Sequence, residues 1–218
     1  MGPHFILDFD GVLSDSLTIA LQEINRLVAT SFPKLSAVNG PEDLSKLFAG
    51  PLIASLRRFG LSVQECEDFF DAHSDAMQKR APEISPFEDV LRAVKEVAAG
   101  HCSIVTSSHA SAVAAVLRKS PHYTETLFHA VRGRELKQSK ADKLRDVLKD
   151  KNLTPSQVLQ FGDMVSDLLS SREVGIPFCA VGWGYHPLKF LCAFNPDFSV
   201  GSPKDFRQIL IEWQNNFN

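Results

Sequence analysis

Apolar positions along this chain follow two alternating rhythms. Unbroken runs at residues 4–9, 102–106, 158–161 and 178–181 have the length and flanks of buried strands, with weaker candidates at 127–131 and 198–200. The first ends abruptly in Asp8-Phe9-Asp10-Gly11, as a buried parallel strand does on entering a loop. Helical periodicity fills the intervals at 85–99, 110–119, 140–151, 166–174 and 203–213. Thr154-Pro155-Ser156-Gln157 reads as a helix start: an N-cap threonine, a proline at the first position and a glutamine to close the capping box. Strands alternating with helices predict an α/β fold, a parallel sheet covered on both faces.

From about residue 15 to residue 82 the alternation stops. Leu17, Leu21, Ile24 and Val28 mark one helix face and Val63, Cys66, Phe69 and Phe70 another, punctuated by Asn39-Gly40-Pro41, Gly50-Pro51 and Gly60. A wholly helical stretch placed directly after the first strand predicts a small inserted α-helical domain. Its bounds are the loop after Gly11 and the proline-bracketed residues 81–86. This divides the chain into a core of residues 1–14 and 84–218 and an insert of residues 15–83.

The chain has 218 residues, 44% hydrophobic and 22% charged, which is enough to bury a real core. Its net charge of -3 offers no attraction to nucleic acid or to acidic membranes. No apolar run approaches the ~20 residues that span a bilayer. The amino terminus reaches an aspartate too early for a secretory signal. The four cysteines lack pair spacing, and Cys102 and Cys179 lie within apolar runs, so they read as buried thiols. A reducing, cytoplasmic setting is expected.

Four polar clusters carry candidate chemistry: Asp8-Phe9-Asp10-Gly11-Val12, Thr106-Ser107-Ser108, Lys140, and Gly162-Asp163-Met164-Val165-Ser166-Asp167. All but Lys140 sit where apolar strands end, and open parallel sheets bind ligands at the carboxyl ends of their strands. Folding would crowd three or four carboxylates together, which is costly without a cation. Oxygen-only ligands select a hard ion, magnesium rather than zinc.

These clusters resemble the motifs of the haloacid dehalogenase-like superfamily, in the branch of phosphoglycolate phosphatases. Asp8, Asp10 and Val12 match its Asp-x-Asp-x-Thr/Val, Thr106 its strand-ending Ser/Thr, Lys140 its helix-opening lysine, and Gly162, Asp163 and Asp167 its Gly-Asp-x-x-x-Asp. Val-Gly-Trp-Gly-Tyr-His at 181–186 extends the likeness, which covers nearly the whole chain in order. Ala141 stands where the family often has proline. The resemblance implies a Rossmann-like core with a helical cap, and a Mg-dependent phosphatase acting on a small phosphorylated metabolite, phosphoglycolate by branch.

On that reading Asp8 is the nucleophile, forming an aspartyl-phosphate, and Asp10 protonates the leaving alkoxide and then activates water. Magnesium sits on Asp8, Asp163 and the Asp10 carbonyl, with Asp167 a ligand through water or an anchor. Thr106, Lys140 and the Ser107 N–H hold phosphoryl oxygens. Alternatives are a phosphomutase of the β-phosphoglucomutase type, a dehalogenase (disfavoured by Asp10), or a non-catalytic interaction module. Lys137 and Lys143 stand near Lys140, and Lys143 reads as a solvated helix face. Arg57 and Arg58 read as exposed helix rather than as a second anion site, the seven histidines as no metal site, and Trp183 and Tyr185 as loop packing.

Overall fold

The computed structural model describes residues 2–217. Strands β1 (His4–Leu7), β2 (Ser14–Asp15), β3 (Ser85–Pro86), β4 (Cys102–Val105), β5 (Val131–Arg132), β6 (Val158–Gly162), β7 (Phe178–Val181) and β8 (Phe198–Val200) form two sheets. Six are parallel, in the order β5-β4-β1-β6-β7-β8; β2 and β3 form a separate antiparallel pair. Helices α1 (Leu17–Thr30), α2 (Pro41–Leu47), α3 (Leu52–Arg57) and α4 (Val63–Arg80) follow β2 without an intervening strand. Then come α5 (Glu88–Ala93), running into a π turn at Val94–Ala98, α6 (Ala110–Leu117), α7 (Lys140–Lys151), α8 (Val165–Val174), α9 (Leu188–Cys192) and α10 (Phe206–Asn215). The fold is the expected α/β, Rossmann-like one with a helical segment after the first strand.

Strand β1 shows why its sequence is apolar without alternation. Phe5 lies opposite Cys102 and Leu159, so β1 is paired on both edges. Phe5 and Leu7 pack into the main core, while Ile6 points into a second cluster with Val105, Leu144, Val147, Val158 and Ile176 beneath α7. Both faces are thus buried, and a solvated face never appears. The main core runs on into α1–α4 through Ile24, Leu44, Leu56 and Phe69.

Caps fix the helix starts. Ser62 Oγ accepts from the Glu65 N–H while Glu65 Oε2 accepts from the Ser62 N–H, and Ser139 Oγ accepts from the Asp142 N–H. Three expectations need correction. Ser85 and Pro86 are strand rather than helix, pairing with Asp15 and Ser14. The strand expected at 127–131 forms only at Val131–Arg132, because Leu127 and Phe128 turn into the core instead. Thr154 and Gln157 do cap each other, but the helix they open is a single 3-10 turn, Pro155–Gln157, leading into β6.

Candidate active site

Neighbouring strands β4, β1 and β6 each stop at a polar residue: Thr106, Asp8 and Asp163. The sheet therefore delivers three sequence-distant side chains to one edge, with Asp8 in the middle. Asp8 is buried; its Oδ1 accepts from the Phe9 N–H at 2.8 Å and its Oδ2 lies 2.9 Å from Lys140 Nζ. Lys140 is the first residue of α7, held there by the Ser139 cap, and its Nζ also donates to Asp167 Oδ1 at 2.5 Å. Asp167 Oδ2 in turn accepts from the Met164 N–H at 3.0 Å, closing the first turn of α8.

Asp163 is fixed by one oxygen only. Its Oδ2 accepts from the Tyr185 N–H at 2.7 Å, while its Oδ1 is buried without a partner. Two glycines make room for it. A Cβ on Gly184 would lie 2.2 Å from Asp163 Cβ, and one on Gly11, whose φ is +74°, would lie 2.0 Å from Asp163 Oδ2.

Asp10 stands apart from this group. Ser108 Oγ donates to its Oδ2 in a short contact, and Ser14 Oγ donates to its Oδ1 at 3.4 Å. Thr106 Oγ1 accepts from the Ser108 N–H at 3.0 Å, which leaves its own O–H free to donate. Ser107 is exposed beside it, on the wall of a cavity of about 530 Å³ that also reaches Asp8, Asp10, Thr106 and Lys140.

Burial dominates the electrostatics. It raises Asp8 to about 7, against the pull of Lys140, and raises Asp163 well above the carboxylate range, with Asp167 and Asp8 adding repulsion. Burial works against the Lys140 ammonium too, but Asp167 and Asp8 more than offset it and hold its pKa high. Asp8, Asp163 and Asp167 bring one carboxylate oxygen each within 4.8 Å of one another. Crowded, dry, hard oxygens with one of them unpartnered are a donor set for magnesium, and their repulsion is what such a cation relieves. Asp10 is expected to offer its backbone carbonyl, and its carboxylate lies outside this trio.

Lys143 is a correction to the sequence reading. It is buried rather than solvated, and its Nζ donates to the Thr106 carbonyl at 2.8 Å; burial, and then Lys140, lower its pKa to about 8. Ser14, Ser108 and Gly184 also carry weight that sequence reasoning did not assign. Ser108 and Gly184 left a signal, the one beside Thr106 and Ser107, the other between Trp183 and Tyr185. Trp183 packs the loop as expected, its Nε1 donating to the Val12 carbonyl at 3.3 Å, whereas Tyr185, whose hydroxyl meets Ser16 Oγ at 2.9 Å, also lines the cavity. The Arg58 guanidinium binds the Ser55 and Lys46 carbonyls, and neither Arg57 nor Arg58 lines the cavity.

Residues 5–181 match the haloacid dehalogenase-like hydrolase family. The chain is 24% identical over 210 residues to the phosphoglycolate phosphatase of Synechococcus elongatus, covering 95% of this chain and 96% of that one. At 24% over 213 residues it is similar to a provisionally named pyrophosphatase of Caldanaerobacter subterraneus subsp. tengcongensis, covering 94% and 91%. A solved hydrolase from Pseudomonas syringae shares the fold with a TM-score of 0.77 at 19% identity, over 96% of this chain and 98% of that one. With its fold, its acid-lined strand ends and this match in agreement, the chain belongs to the haloacid dehalogenase-like hydrolases.

Proposed function

We propose that this hydrolase is a Mg-dependent phosphatase of small phosphate monoesters, with residues 1–14 and 84–218 as catalytic core and 15–83 as cap. The carrying observation is Asp8 at the end of the central strand, 2.9 Å from the Lys140 ammonium and beside the unpartnered Asp163 oxygen.

Asp8 attacks phosphorus; a P–O bond forms to its carboxylate as the bond to the ester oxygen breaks. Asp10 gives its proton to the departing alkoxide, then takes one from the water that splits the aspartyl-phosphate, so the enzyme returns to its starting state. Ser14 and Ser108 aim Asp10 for both transfers. Thr106 (O–H), Ser107 (N–H) and Lys140 (ammonium) hold phosphoryl oxygens as charge builds on them. Asp8, Asp163 and the Asp10 backbone carbonyl, with Asp167 anchoring the set, would hold a magnesium ion, which would supply charge neutralisation as the nucleophile meets the phosphate. Phosphoglycolate is the substrate suggested by the Synechococcus relative's name. Cys66, Cys102 and Cys179 are buried free thiols, which fits a reducing compartment such as the cytoplasm.

Phosphate release from a panel of small esters with magnesium tests the reading. Release is expected from the wild type and to fall by roughly a thousand-fold or more in Asp8→Asn. No release from any ester would refute it.

A further inference from the structure

The cavity over Asp8 has two unlike halves. The core contributes Asp8, Asp10, Thr106 and Lys140; the helical segment contributes Phe48, Leu52, Ile53, Phe69, Phe70 and Met77. At about 530 Å³ it holds a ligand far larger than a glycolate tail. A second anion would find no free cation there. Among the described residues the cavity's basic side chains are Arg134, paired with Asp71, and Lys140, paired with Asp8 and Asp167. Glu67 adds negative charge to the wall, and Glu173 there is paired with Arg145. Besides Glu67, two polar side chains of α4 interrupt the apolar half, and both are buried without partners at His73 Nε2 and Ser74 Oγ. Burial lowers the His73 pKa, so the ring is a neutral hydrogen-bonding group rather than a cation.

We infer that the ester cleaved here carries a neutral, largely apolar alcohol part of ring or extended-chain size. That part bears a polar group for His73 and Ser74, and it does not carry a second carboxylate or phosphate. The inference rests on the phosphatase reading and deepens it, but departs from the phosphoglycolate suggested by the Synechococcus relative's name. An apolar alcohol part gains by leaving water against the phenylalanines. A carboxylate in the same place loses its hydration and meets only cations already paired with carboxylates, Arg134 and Lys140, a rejection stronger than any missing methylene group.

The test compares kcat/KM, with magnesium, for three primary alkyl phosphates: methyl phosphate, phosphoglycolate and 2-phenylethyl phosphate. The phenylethyl ester should exceed both others by at least about ten-fold. Ile53→Lys, which places an ammonium on the apolar wall, should move the ratio toward phosphoglycolate by about ten-fold. Equal or better turnover of phosphoglycolate by the wild type would overturn the inference and leave the phosphatase standing. Should none of the esters be cleaved, the phosphatase reading fails by itself, and calorimetry decides the cavity's preference. Tighter binding of 3-phenylpropylphosphonate than of 3-phosphonopropionate supports an apolar site; the reverse order overturns it.

Discussion

Asp10 owes its position to two serines, Ser108 at one oxygen and Ser14 at the other, and neither is near it in a conspicuous motif. If Asp10 is the acid and base, Asp10→Asn lowers kcat by about 10²–10⁴. Ser108→Ala, which frees one oxygen, lowers kcat by about ten-fold while KM for phosphate esters changes little. Steady-state kinetics on both variants checks this; an unchanged kcat in Asp10→Asn would remove Asp10 from the chemistry. Lys143 acts one step further out, through the Thr106 carbonyl. Lys143→Met strands that carbonyl in a buried site, at a cost of about 1–3 kcal/mol. A lower Tm and a higher KM are expected, and full activity with unchanged KM would show that Thr106 needs no such support. The sequence could reveal Asp8, Asp10, Thr106, Lys140 and Asp163 because each sits at a strand or helix end with a recognisable local pattern. Ser108 and Lys143 stand beside motif residues, but their roles stay hidden because their partners come from elsewhere in the chain, and a lysine one turn along a helix looks solvated until the sheet edge beside it is known.

The strands were legible for a related reason. β1, β4, β6 and β7 are buried on both faces, so their apolar runs stand out against amphipathic helices. β2 and β3 were not legible, since a two-residue pairing has no period, and they form because the chain leaves and re-enters the sheet domain at one place. Inside the parallel sheet, β1 and β4 share a polar contact: His4 Nε2 lies 3.0 Å from Ser103 Oγ. Burial, aided by Lys151 and neighbouring histidines, lowers the His4 pKa to about 3. The folded state therefore keeps His4 neutral while the unfolded chain protonates it below its ordinary value near 6.5. Stability contributed at this position is complete above pH 6.5 and is lost as pH falls toward 3, roughly 2 kcal/mol of it by pH 5. His4→Gln should show a shallower fall than the wild type in urea melts across that window. Parallel curves for the two proteins would mean that His4 is free to charge in the fold. The difference between proteins is the proper readout, because Asp8 and Asp163, raised by burial, change stability in the opposite sense.

Seen across the whole chain, the helical segment joins the sheet through two short links. β2 pairs with β3, the Phe87 N–H reaches the Leu13 carbonyl at 2.9 Å, and Lys119 Nζ, just past the end of α6, donates to the carbonyls of Ala81, Pro82 and Ile84. Asp8 comes from one strand end, and Asp163 and Asp167 from another strand end and the helix start after it, far along the chain, so the energy stored in their crowding is a property of the assembled molecule rather than of one motif. Asp8, Asp163 and Asp167 are each at most 7% exposed, with Lys140 as the ammonium among them. A cation that binds only the folded chain stabilises it by mass action, about 2.7 kcal/mol at a hundred times its Kd. For a chain of this size that is a rise in Tm of roughly 5 to 10 °C. Asp163→Asn keeps the shape and can still accept from the Tyr185 N–H, but it removes one buried charge. The variant should therefore melt above the metal-free wild type and should lose most of the response to magnesium. Thermal melts of both proteins in chelator and in magnesium separate the two effects. A wild-type Tm that ignores magnesium would refute the metal site. An Asp163→Asn variant less stable than the wild type in chelator would show that Lys140 alone already balances the three acids.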